Sequence, residues 1–152
     1  MMRIGLTLTL LFAAYNCSVD AARPQSSDLV GRWKIDITFE NQSKRSLRFD
    51  AEDSGTGSLL LEPRSNWDEP AKPSQAKWTV GKEKRVTISG PVEFPIGNVG
   101  RQTGVLVFKG SFKSESKITG DIAFFPMDQD PMDPKATPSK TGNFEATRVR
   151  AN

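Results

Sequence analysis

Residues 29–40 read "LVGRWKIDITFE", and the alternation in this stretch decides the fold. Trp33, Ile35, Ile37 and Phe39 fall on one face, while Arg32, Lys34, Asp36 and Thr38 fall on the other. Side chains along a strand point to opposite faces in turn, so the stretch predicts a strand with one buried and one wet face. The parity recurs along the chain. Leu47, Phe49 and Ala51 oppose Arg48, Asp50 and Glu52, and Trp78 and Val80 oppose Lys77 and Thr79. Val86, Ile88, Val92 and Phe94 oppose Arg85, Thr87, Ser89 and Glu93, and Ile118, Ile122 and Phe124 oppose Thr119 and Asp121.

Worked outward from that first segment, the pattern predicts eight strands: Leu29–Phe39, Ser46–Glu52, Gly57–Glu62, Ala76–Val80, Arg85–Phe94, Thr103–Phe112, Lys117–Phe125 and Gly142–Arg150. Turn chemistry such as Asp53-Ser54-Gly55 and Gly81-Lys82-Glu83-Lys84 separates several of them, as hairpins require. Longer connections are predicted at Pro63–Gln75, Pro95–Gln102 and Pro126–Thr141. A meander with one apolar face closes most simply into an antiparallel eight-stranded up-and-down β-barrel, because closure leaves no exposed edge. A two-sheet β-sandwich has the same parity and stands as the alternative.

The N-terminus reads differently. Arg3 precedes an apolar run from Ile4 to Ala14, too short for the roughly 20 residues a spanning helix needs but matching the apolar core of a secretory signal peptide. Val19-Asp20-Ala21 supplies a cleavage site, so residues 1–21 are expected to be a signal peptide, 22–28 a short linker and 29–150 a single barrel domain. The protein is then exported, periplasmic or secreted. Lipid anchoring through Cys17 is the less favoured reading, since Ala14-Tyr15-Asn16 fits poorly before a lipidated cysteine. Aromatic girdles and a terminal aromatic are missing, which argues against an outer-membrane barrel.

The 152 residues contain no histidine and one cysteine. Metal sites built on imidazole or thiolate, and Ser-His-Asp or Cys-His nucleophilic centres, are therefore not expected. Cleavage would remove one basic residue, Arg3, and one acidic residue, Asp20, leaving the formal charge at +3 without a basic tract for nucleic acid. Asp36, Asp50, Glu52, Glu93 and Asp121 all take polar-face positions, so no acid–base pair converges and no enzyme is expected. Asp128, Asp130 and Asp133 lie in a proline-rich segment that lacks the glycine and distal glutamate of a calcium loop. Neither metal nor cofactor is expected. Asn41-Gln42-Ser43 is an N-glycosylation sequon.

Gly31 and Trp33 at the start of the first strand, with a basic residue on the last, resemble the Gly-x-Trp signature of lipocalins and related calycin barrels. Lys34 replaces the aromatic usual after that tryptophan, and the family's middle motif has no counterpart. The resemblance implies that Trp33 closes one end of the barrel. Arg148 shares the parity of Phe144, so it points inward, where stacking on Trp33 would offset the cost of burying it. Gly31, Trp33 and Arg148 are thus the expected closure.

Trp33, Phe49, Trp78, Phe94, Phe108 and Phe124 are the expected lining of the interior. Eight strands enclose just enough space to be filled by side chains or to hold one small ligand. Gly90, Gly104, Gly110 and Gly120 share the inward parity and would either leave a hollow or relieve curvature. Ile96 and Val99 lie in a glycine-rich segment read as a loop or lid. The leading expectation is an exported, non-catalytic binding protein for a small apolar molecule. The alternative is a solid-cored interaction module of the cell envelope that meets a protein or glycan through its long loops.

Overall fold

Eight strands close into a ring in the computed structural model, which describes residues 26–64, 71–96 and 100–150. A single-turn 3-10 helix at Ser26–Leu29 precedes β1 (Gly31–Phe39), β2 (Lys44–Ala51), β3 (Thr56–Leu61), β4 (Ser74–Val80), β5 (Arg85–Ile96), β6 (Gly100–Ser114), β7 (Lys117–Pro126) and β8 (Lys140–Arg148). Each strand pairs antiparallel with its neighbours in sequence, and β8 returns to β1. The up-and-down barrel, rather than the sandwich, is the architecture adopted. The expected signal peptide, Cys17 and Val99 lie outside the described residues. No helix among the described residues is long and apolar enough to cross a membrane.

The register carries the apolar parity of one strand around the ring. Trp33 stands opposite Phe49 on β2 and Arg148 on β8, and Ile35 stands opposite Leu47 and Ala146. Cross-strand partners share a face, so the alternating residues of all eight strands converge on one core. Trp33, Ile35, Leu47, Phe49, Leu59, Leu106, Phe108, Ile118, Phe124 and Ala146 are fully buried there.

Several boundaries move relative to the sequence expectation. β2 starts at Lys44 and β8 at Lys140, because pairing continues through Thr38 with Lys44 and through Phe124 with Lys140. The β5–β6 ladder runs out to Ile96 opposite Gly100. Ile96 is therefore the last residue of β5, and residues 97–99 lie outside the described residues. Backbone hydrogen bonding is indifferent to side-chain polarity, so strands outrun the segments in which alternation is visible.

Two local departures shape the outside. β4 pairs with β5 only over Val86–Ser89, and the next residues of β5 are Gly90 and Pro91. Proline has no N–H to continue a ladder. The wall opens there, with the Ser74 hydroxyl donating to the Pro91 carbonyl. On β6 and β7 the outward face is also apolar: Val105 pairs with Phe125 and Val107 with Ala123. Phe125 is buried although it points away from the core, on a groove that it shares with Pro131 from the segment between β7 and β8.

Candidate functional site

At one end of the barrel, Gly31, Trp33 and Arg148 form a single assembly. The guanidinium carbon of Arg148 sits 4.3 Å from the centroid of the Trp33 ring. Its Nη1 donates to the Val30 carbonyl at 2.7 Å and its Nε to the Glu115 carbonyl at 3.1 Å. Its Nη2 donates to the Asp28 carbonyl. Trp33 is fully buried, and its Nε1 donates to the Leu29 carbonyl at 2.8 Å. The arginine thereby ties the turn before β1 to the β6–β7 turn over the end of the core. Gly31 has φ of +124°, and a Cβ there would stand 3.0 Å from Arg148 Nη1. Only glycine suits both the backbone and the guanidinium beside it.

Phe49, Trp78, Phe94, Phe108 and Phe124 are buried along the axis. Phe94 meets Phe124 edge-on at 5.2 Å between centroids and Phe39 at 5.9 Å, while Phe108 meets Phe144 at 5.2 Å. Trp33 meets Phe112 at 6.0 Å. T-shaped packing at these separations is the favoured aromatic arrangement. Trp78 also donates from Nε1 to the Thr56 carbonyl at 2.7 Å.

Three of the four inward glycines are covered by side chains. A Cβ on Gly104 would lie 2.4 Å from Phe124 Cζ, and one on Gly110 would lie 2.8 Å from Phe144 Cζ. At Gly90 it would meet Ala76 and Leu59 at 3.1 Å. Aromatic and aliphatic side chains take up room beside Gly90, Gly104 and Gly110, whereas at Gly120 the nearest atoms are backbone atoms of Lys109 and Gly110.

The opposite end holds two inward cations that sequence reading missed. Arg45 is 6% exposed, with its guanidinium carbon 5.7 Å from the Phe94 centroid. The Lys140 ammonium lies 6.0, 5.6 and 5.8 Å from the Phe39, Phe94 and Phe124 centroids. Both precede the segments in which alternation shows, yet Arg45 has the parity of Leu47 and Lys140 that of Phe144. Extending that parity by one step would have found them. Arg148 and Lys140, eight positions apart on β8, thus each set a cation over aromatic rings at opposite ends of the core.

Among the described residues, two of the clefts outside the core are the roomier apolar ones, and none of the six expected lining residues borders either. The first, about 550 Å³, opens beside the shortened β4. Leu61 and Val92 form its floor, Ala71, Pro73 and Pro91 its walls, and Lys72, Glu93 and Arg101 its charged rim. Arg101 Nη1 stands 3.3 Å from Glu93 Oε2. The second, about 410 Å³, runs along β6–β8 over Val107, Ala123 and Phe125, with Glu40, Lys109, Asp121 and Asn143 beside them. Some carboxylates on the outer wall are engaged in cross-strand pairs, as in Asp50 with Arg32 at 2.6 Å and Glu145 with Lys117 at 2.9 Å. No group of three or more potential metal ligands is found among the described residues.

No protein-family model matches the chain, and no curated protein does. Among solved structures it is similar to a redesigned β-barrel at 11% identity, with 86% of this chain and 98% of that chain covered and a TM-score of 0.48.

Proposed function

We propose that this protein is an exported, non-catalytic interaction module: a solid lipocalin-like barrel that presents its binding surfaces on the outside. The observation that carries the reading is the seating of Phe124 over Gly104 and Phe144 over Gly110. A carrier needs space in its core, and rings seated over inward glycines favour a core without it. The Gly31-x-Trp33 signature with Arg148 above the indole supports the lipocalin likeness as architecture. The apolar run Ile4–Ala14 supports export.

Native mass spectrometry of the protein purified from an exporting host, paired with uptake of an apolar fluorescent probe, tests the reading. The wild type is expected at the bare-chain mass and without probe uptake. Phe124→Ala, which would open a cavity, serves as the probe-binding control. Excess native mass that disappears on denaturation would overturn the proposal in favour of a small-molecule carrier.

A further inference from the structure

We infer that Asn41, in the turn between β1 and β2, accepts an N-linked oligosaccharide as the chain passes through a eukaryotic secretory pathway; this rests on the export reading and adds a covalent modification to it.

Asn41-Gln42-Ser43 supplies the acceptor amide and a hydroxyl two positions on, with no proline between them. Asn16-Cys17-Ser18 has the same form but falls within the stretch expected to be cleaved. The mature chain would therefore carry one site.

The fold keeps that site open. β1 and β2 pair as far as Thr38 opposite Lys44. Residues 39–43 then form the turn, in which the Phe39 N–H donates to the Ser43 carbonyl and the Gln42 N–H to the Phe39 carbonyl, each at 2.9 Å. Asn41 and Gln42 are exposed. Asn41 Oδ1 accepts from the Ser43 N–H at 3.0 Å and from the Ser43 hydroxyl at 2.6 Å. A backbone N–H can only donate, so the oxygen of the amide is the atom turned in and Nδ2 is the atom turned out. Among the described residues, no hydrogen bond of the fold uses Nδ2.

Space lies beside it. Asn41 borders an open cleft of about 280 Å³, with Pro138, Ser139 and Thr141 across from it. A sugar on Nδ2 thus displaces no bond of the turn and meets an exposed surface rather than the core. In the transfer, Nδ2 bonds to the anomeric carbon of an oligosaccharide carried on a polyprenyl pyrophosphate. The bond from that carbon to the pyrophosphate oxygen breaks, the pyrophosphate leaves with the electron pair, and one Nδ2 proton passes to a base of the transferase.

Intact-mass spectrometry of the full chain expressed in a eukaryotic cell line, on both the medium and the cell fraction, tests this. The secreted wild type is expected with residues 1–21 removed and with a mass above that of the bare chain. Peptide N-glycosidase should remove the whole excess and convert Asn41→Asp, read by peptide mapping. Asn41→Gln and Ser43→Ala should each be secreted at the bare-chain mass, while Ser43→Thr should keep the excess. Near-UV circular dichroism would verify that each variant keeps its fold, and Ser43→Ala leaves the asparagine itself in place. A secreted wild type at the bare-chain mass, or an excess that survives in Asn41→Gln, would overturn the inference alone. A wild type held in the cytosol with residues 1–21 attached would remove the export reading, and the inference with it.

Discussion

Arg148 sits over the Trp33 ring, its guanidinium carbon 4.3 Å from the ring centroid, while its nitrogens donate to the carbonyls of Asp28, Val30 and Glu115. The two residues are direct cross-strand partners on β8 and β1, the seam at which the first strand meets the last. One side chain thus joins the closure of the barrel to the capping of its end.

Arg148→Ala would strip the donor from three carbonyls and expose the indole. A loss of about 2–4 kcal/mol is expected from charge-assisted hydrogen bonds and the cation–π contact together, read from the midpoint of urea unfolding. Arg148→Lys should recover only part of it, since an ammonium cannot reach three carbonyls while lying on the ring. A loss below about 0.5 kcal/mol would place Arg148 among ordinary surface substitutions.

Trp33→Ala should be costlier, at about 3–5 kcal/mol, because it removes a fully buried indole from a packed core. Equilibrium unfolding followed by circular dichroism measures it without relying on the lost fluorophore.

Gly31→Ala forces an L side chain into φ of +124° and sets its Cβ 3.0 Å from Arg148 Nη1. The guanidinium is held by its carbonyls and has little freedom to withdraw. Strain of this kind costs about 1–3 kcal/mol. In the Arg148→Ala background the substitution should cost less, and a double-mutant cycle with no coupling would contradict the contact.

Gly104→Ala drives a methyl to within 2.4 Å of Phe124 Cζ and 2.3 Å of the Phe125 carbonyl oxygen. Overpacking of this sort costs about 1–3 kcal/mol. Combining it with Phe124→Leu should cost about 1 kcal/mol less than the two changes summed, because the smaller side chain frees the site. Strict additivity would mean that the ring does not sit over the glycine. The backbone clash remains in either case, so rescue is partial.

Lys140→Met keeps most of the stem and removes the charge from above Phe39, Phe94 and Phe124. Lys140 is half-buried, so the cation–π contribution should be about 0.5–1 kcal/mol. High salt should leave that difference nearly intact if the rings provide it, and erase it if Lys140 acts only through distant surface charges.

The sequence by itself determined the strands and their buried face, because period-two alternation in segments such as Trp33–Phe39 is a local property that needs no knowledge of the fold, while closure into a barrel rather than a sandwich was decided by the pairing of β8 with β1. It also placed Arg148 on the inward face of the last strand, from its parity with Phe144. Only the tertiary structure decided which side chains cover the inward glycines. Phe124 over Gly104 and Phe144 over Gly110 join residues on neighbouring strands whose relative height depends on register, which no single segment reveals. Arg45 and Lys140 were missed for a related reason: each is a lone charge at a strand start, where hydropathy reads loop and the backbone ladder continues. The cleft beside β4 is likewise tertiary, since Pro91 interrupts pairing only with the strand that lies next to it.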